Sequence, residues 1–367
     1  MPTTARAAVM TAPNRPLALR DFPVPEARPG EVLARITLAT ICGSDLHTWR
    51  GRRHAATPII LGHEAVGVVE QIGSDGLLDR AGRPLSVGDR ITWTLHSSCG
   101  VCDYCVRYGL PMKCRSVRKF GHESCERPPH LRGALAEKCL LSAGTGLLRV
   151  PDSLSDLASA PANCAAATAI AVCDAAGIES ADSVLVQGAG ALGVYAAGYA
   201  ATAGCKRVIV TDLSPRRLEL ARDLGATHVV RIDGQTDAEL AAQTRELAGG
   251  DGVDAVLGFS GSPAACSSGL DALRVGGVFV EAGCVFPGAV SPIDLSALVS
   301  RRLTLRGVHN YALDHLRRAV DFLTESDHRY DCGRVVGETF PLEDVNAAFA
   351  AAEKQQSLRI AVAMGAG

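Results

Sequence analysis

The segment Cys42-Gly43-Ser44-Asp45-Leu46-His47 and the later Gly62-His63-Glu64 bring a thiol, a hydroxyl, imidazoles and carboxylates into one turn-rich stretch. One cysteine and one histidine are two ligands toward tetrahedral zinc, and a zinc that does chemistry has three protein ligands and an open fourth position. The third ligand must come from elsewhere. Cys164, in Ala160-Pro161-Ala162-Asn163-Cys164-Ala165, is the candidate. Glu64 is counted with this metal set, either as a ligand or as an acid beside it. Asp45 is placed to accept the other ring N–H of His63, which fixes the tautomer of a ligating imidazole. Ser44 would touch a substrate hydroxyl, and His47, which titrates near neutral pH, would pass the proton to solvent. Taken singly, Cys42 and Cys164 also read as buried thiols, His63 as a core imidazole and His47 as a surface one.

A second cysteine set, Cys99-Gly100-Val101-Cys102-Asp103-Tyr104-Cys105, closes with Cys114. Thiolates at that spacing wrap a backbone loop around one ion, and the fourth leaves no open position, so such a zinc is structural. The alternatives are loose thiols or an iron–sulfur cluster, whose cysteine runs are spaced otherwise. Two zinc ions per chain are therefore expected. A third pattern, Gly188-x-Gly190-x-x-Gly193 with Leu192 inside it, follows the apolar run Ser183-Val184-Leu185-Val186-Gln187 and opens a helix that Gly204 ends. Its amides and helix dipole would face a pyrophosphate. Asp212 ends the next strand about twenty residues on, where a carboxylate accepts from ribose hydroxyls and repels a 2′-phosphate, which predicts NAD. Arg216 and Arg217 nearby weigh the other way, and a glycine turn in a sheet that binds nothing is the bland alternative.

The elements that must hold these residues differ between the two parts of the chain. Up to about residue 150, short apolar runs alternate with Pro and Gly, as in antiparallel strands, and both Cys42 and His63 fall at strand ends. Residues 115–133 read as a long loop, and Trp49, Trp93, Leu95 and His122 as pocket candidates from their closeness in sequence to the ligands. Leu157 to Gly177 reads as one Ala-rich helix with Cys164 inside it. From Ser183 onward, strand and helix alternate as in a doubly wound parallel sheet, to a last strand at Leu303-Thr304-Leu305-Arg306-Gly307. At 367 residues the chain is long enough for two cores, and its 4% aromatic content favours close helix-to-sheet packing over a β-sandwich. A net charge of -2 supplies no general field for nucleic acid or a membrane surface. With no apolar leader or spanning run and an odd total of 13 cysteines, a cytoplasmic protein is expected.

In the order of these parts the chain resembles the zinc-dependent medium-chain alcohol dehydrogenase family, which includes alcohol, polyol and threonine dehydrogenases. The resemblance implies an α/β protein with a GroES-like, mainly antiparallel β catalytic domain over residues 1–160. A doubly wound Rossmann parallel sheet over 161–307 follows, and 308–367 return to the first domain. It implies that Cys164 is the third ligand, that Arg359 meets the cofactor pyrophosphate and that Arg217 flanks the adenosine ribose. It also implies a homodimer or homotetramer acting on a small molecule. The expected reaction is hydride transfer between NAD(H) and an alcohol/carbonyl pair, with a secondary alcohol, polyol or cyclitol as substrate. The extra residue between Cys105 and Cys114, with Arg118-Lys119-Phe120-Gly121-His122, is similar to a branch associated with phosphonate metabolism and secondary pathways, so a phosphonate-bearing or other small aldehyde is the alternative substrate. Two rival readings are a non-catalytic NAD-binding protein with only structural zinc and a zinc-free quinone or enoyl reductase; the latter is opposed by the Cys and His set.

Overall fold

Val32–Ile41 is apolar at nearly every position and almost wholly buried, the pattern of a strand covered on both faces. In the computed structural model, which describes residues 3–74, 76–178 and 183–365, this strand lies inside an eight-stranded sheet. One neighbour is Glu64–Ile72, antiparallel, with Thr40 opposite Glu64. The other is Arg359–Ala363, also antiparallel, with Ile41 opposite Ile360. Arg90–Ser97 and the short Arg118–Lys119 continue the sheet on the first side, and Val336–Pro341 closes it on the second. Most pairings are antiparallel; Val336–Pro341 runs parallel to Arg359–Ala363. A core of side chains including Ile36, Ile91, Trp93, Leu135 and Phe349 packs within this part of the chain.

The chain divides into two compact units: Met1–Cys164 with Ala312–Asp327 and Cys332–Gly367, and Ala165–Tyr311 with His328–Asp331. In the second unit six parallel strands lie in the order His228–Arg231, Arg207–Asp212, Ser183–Gln187, Val253–Gly258, Leu273–Glu281, Thr304–Gly307. The chain thus starts in mid-sheet, runs to one edge, then returns and builds toward the other. The loop after Ser183–Gln187 leaves the sheet where that direction reverses, the usual place for a ligand crevice in such folds.

The single helix expected from Leu157 to Gly177 is broken. A short helix, Asp156–Ser159, passes into a tight 3-10 turn, Ala160–Asn163, and a new helix runs from Ala165 to Ala176. Pro161 has no N–H for a helix ladder, and Cys164 (φ −141°, ψ −70°) leaves helical geometry. Cys164 therefore sits at a break between helices. No single described helix is long and apolar enough to cross a membrane.

Candidate active site

Strand register brings the first candidate ligands together. Thr40 faces Glu64 and Ile41 faces Ile360, so Cys42, His63 and Arg359 all fall at one end of three adjacent strands. Cys164 reaches them because the carbonyl oxygen of the Asn163 side chain accepts the Ala65 N–H at 3.3 Å, tying the 3-10 turn to the strand that follows His63. The donor atoms of Cys42, His63 and Cys164 all lie within 4.8 Å of one another. Zinc bonds of about 2.3 Å to sulfur and 2.0–2.1 Å to nitrogen need donors roughly 3.5–3.8 Å apart, so a modest contraction would seat the ion.

Asp45 organises the histidine. Its carboxylate accepts the Cys42 and Gly62 N–H groups at 2.9 and 3.2 Å, and lies 3.4 Å from His63 Nδ1. Nε2 is then the nitrogen left to face the other donors, and the Ser44 hydroxyl oxygen is 3.4 Å from it. Burial pulls the His63 pKa down, but Asp45 and Cys42 together hold it well above the usual histidine range. The Cys42 thiol is held well below its ordinary value by a hydrogen bond from Cys164 and by the charges of Arg359 and His63, against burial. One thiolate is thus already favoured in the donor set, which fits a divalent cation. Burial and the charges of Arg52 and Arg53 lower His47, which shares a helical face with Ser44 on Gly43–Trp49.

Glu64 lies outside the three-donor group. It is fully buried, and Arg359 grips it with Nε to Oε2 at 2.6 Å and Nη2 to Oε1 at 2.8 Å, while the Thr40 hydroxyl donates to Oε2 at 2.6 Å. Arg359 Nη2 also lies 3.5 Å from Cys42 Sγ. The structure thus gives Glu64 a partner other than the metal set and Arg359 a partner other than the cofactor. Thr40 was missed in the sequence, where a threonine inside a strand carries no signal of this contact.

Of the pocket candidates, His122 stands beside the group, its ring centroid 5.7 Å from that of His63. Its Nδ1 donates to the Phe120 carbonyl at 2.8 Å, and burial beside His63 lowers its pKa to about 4. Trp93 and Leu95 are buried, Trp93 within the core, and Trp49 packs on Phe349 with its indole N–H donating to the Arg15 carbonyl.

Cys99, Cys102, Cys105 and Cys114 form the other donor group. Sulfur separations of 3.6 Å (Cys102–Cys105), 3.8 Å (Cys102–Cys114) and 3.4 Å (Cys99–Cys114) are close to the edge of about 3.8 Å that a tetrahedron of zinc–sulfur bonds requires. Backbone N–H groups of Cys99 and Ser116 point at Cys114 Sγ, and that of Cys102 at Cys99 Sγ. The N–H of Arg115, chiefly, brings Cys102 down to about 6. Four converging thiols, with backbone amides lowering Cys99 and Cys102, fit a closed zinc site.

In the second unit Gly188 (φ +98°) makes the turn after Ser183–Gln187, and a Cβ there would lie 2.8 Å from the Ser260 backbone. At Gly193 a Cβ would meet the Gly188 carbonyl oxygen at 1.9 Å, so only glycine lets the helix pack this close. Gly190 has open space beside it and caps the helix Ala191–Thr202 without a side-chain hydrogen bond, which leaves first-turn amides for an anion. Leu192 stands half-buried in that first turn. Asp212 accepts the Ala189 N–H through Oδ2 and the Ser214 N–H through Oδ1, each at 2.8 Å, which holds its carboxylate beside the glycine turn. Arg217 lies in the first turn of the next helix, Pro215–Asp223. These features fit a dinucleotide.

The sequence matches the alcohol dehydrogenase GroES-like domain over residues 28–152 and the zinc-binding dehydrogenase family over 191–325. It is 30% identical over 346 residues to 5-exo-hydroxycamphor dehydrogenase of Pseudomonas putida, covering 94% of each chain. It is 33% identical over 336 residues to L-threonine 3-dehydrogenase of Anaeromyxobacter dehalogenans, covering 90% of each. An alcohol dehydrogenase from Thermotoga maritima superposes with a TM-score of 0.92 at 29% identity, over 99% of this chain and 100% of that one. The chain belongs to the zinc-dependent medium-chain alcohol dehydrogenase family. It is an enzyme of alcohol oxidoreduction, with the expected GroES-like and Rossmann-type parts, and zinc and a nicotinamide dinucleotide are its cofactors.

Proposed function

We propose that the chain is an NAD-linked dehydrogenase of a secondary alcohol, a polyol or cyclitol among them, with one zinc held by Cys42, His63 and Cys164 and a second by Cys99, Cys102, Cys105 and Cys114. The observation that carries this reading is the three-donor group with the Ser44 hydroxyl 3.4 Å from His63 Nε2. Two similar proteins are named for hydroxycamphor and for L-threonine oxidised at its 3-position, and both of those are secondary alcohols.

When bound, the open zinc acidifies the substrate hydroxyl as a Lewis acid, and the nicotinamide carries the hydride. The chain's own residues do the rest. Ser44 Oγ accepts the hydroxyl proton and hands it to the His47 ring, which is half exposed and delivers it to water. Asp45 holds the His63 ring with Nε2 inward. Gly188, Gly190, Leu192 and Gly193 cradle the pyrophosphate, with Asp212 and Arg217 at the ribose.

Following NADH absorbance with a panel of alcohols, before and after chelation, tests the reaction. Turnover that chelation abolishes, with about two zinc per chain by metal analysis, is the expected result. Turnover indifferent to metal would defeat the reading. Initial rates with both dinucleotides test Asp212: NAD is expected to be preferred, and Asp212→Ser should erode that preference. A wild-type preference for NADP would sink the assignment of Asp212 to the ribose hydroxyls.

A further inference from the structure

The turn that carries His122 is fixed from several sides, although the proposed reaction gives this side chain no part. The His122 N–H donates to the Lys119 carbonyl at 3.3 Å, the Phe120 N–H to that of Leu95 at 3.1 Å, and the Gly121 N–H to that of Arg132 at 2.9 Å. Glu123, the next residue, accepts from Arg118 at 2.9 and 2.5 Å and lies 3.1 Å from Nε of the buried Arg132. At Gly121 (φ +71°) a Cβ would fall 2.5 Å from the Gly62 carbonyl oxygen, so only glycine lets the turn press against the loop that carries His63. The His122 ring is thereby set 5.7 Å, centroid to centroid, from that of His63.

The two ring nitrogens of His122 then have different duties. Nδ1 faces the Phe120 carbonyl at 2.8 Å, and because a carbonyl only accepts, Nδ1 carries the proton. In a neutral imidazole the other nitrogen is an acceptor. Burial and the neighbouring His63 disfavour the charged ring, so Nε2 has a free lone pair at neutral pH. Among the described residues none hydrogen-bonds Nε2, and it does not belong to the buried side-chain atoms that lack a partner, so it opens on accessible space. Ser44 and Cys164 are half-buried as well, which leaves the three-donor group reachable from outside the core. An acceptor held in one direction beside that group favours a ligand that brings a donor. It disfavours one that brings an apolar group there, because the nitrogen then loses its water and gains no partner.

We propose that His122 Nε2 accepts a hydrogen bond from a second donor on the substrate, a hydroxyl or an ammonium group on a carbon close to the one oxidised. The inference rests on the dehydrogenase reading above and narrows its substrate to alcohols that carry such a donor. His122 is a specificity residue in this role. It gives and takes no proton in the reaction, which leaves the relay to Ser44 and His47.

The test uses the zinc-loaded full chain with NAD and alcohols of matched shape: 2,3-butanediol and 3-amino-2-butanol against 3-methyl-2-butanol, and 2,4-pentanediol against 4-methyl-2-pentanol. A donor-bearing member of at least one series is expected to have the higher kcat/KM, by about tenfold for a hydroxyl and up to about a hundredfold for an ammonium. Which member responds distinguishes the two donors and their distance from the reacting carbon. His122→Asn keeps an amide donor for the Phe120 carbonyl but deletes the acceptor, and it should bring the donor-to-methyl ratio close to one. His122→Gln, which can place an amide oxygen near the lost nitrogen, should retain part of the ratio. A merely structural role would lower both members of a series alike. A ratio near one in the parent for every series, or one that His122→Asn leaves intact, would overturn the inference while the dehydrogenase reading stands. If no alcohol is oxidised, that reading fails instead, and binding judges His122 by itself. With NADH bound, which takes up no hydride, the nitrogen NMR signal of His122 Nε2, assigned by its loss in His122→Asn, should move on adding 2,3-butanediol or 3-amino-2-butanol and stay with 3-methyl-2-butanol. A signal that answers all three alike, or none, refutes the contact.

Discussion

Replacing Cys164 by alanine is expected to remove about one zinc per chain, leave the four-cysteine group loaded, and lower kcat/KM by at least about a thousandfold, roughly 4 kcal/mol of transition-state stabilisation. The expectation follows from the donor geometry: with Cys164 gone, Cys42 and His63 are left as two ligands for an ion that catalytic sites hold with three. The side chain is small and sits at a break between helices, so the sheet has little need of it for packing. Metal analysis, circular dichroism and steady-state rates together decide the matter. A variant that keeps both its zinc and its turnover would mean that the sulfur of Cys164 is not a ligand.

Removal of Arg359 should act on stability first. Arg359→Met would leave the Glu64 carboxylate, fully buried, with only the Thr40 hydroxyl for a partner. Breaking a buried pair from one side costs about 3–5 kcal/mol, because the remaining charge is uncompensated. A fall of several degrees in the thermal midpoint of the zinc-loaded protein is expected. The double variant Glu64→Gln/Arg359→Met should recover part of the loss, since the stranded charge goes too. Arg359→Lys should recover less than its charge suggests, because an ammonium cannot match both carboxylate oxygens. If Arg359→Met melts where the parent does, the pair contributes nothing and its place beside Cys42 needs another explanation.

Legibility in the sequence followed the range of each interaction. The four-cysteine group lies within a few turns of chain, so spacing alone pointed to it. The nucleotide loop was as plain, because three glycines in a fixed pattern each answer a local demand: a positive φ at Gly188, open space at Gly190, and contact with the Gly188 carbonyl at Gly193. Periodicity likewise exposed the alternating strands and helices of the second unit. It failed at Leu157 to Gly177, where Ala-rich composition looked continuous and Pro161 broke it.

The sequence by itself therefore determined which donors are available, which loop can receive a dinucleotide, and that antiparallel and parallel sheets share the chain. Tertiary structure alone decided who meets whom across long separations. Strand register set Cys42, His63 and Arg359 side by side, the Asn163 amide drew Cys164 to them, and Arg359 was matched to Glu64. A one-residue slip in a strand would turn each of those side chains to the opposite face, and no local spacing records such a register.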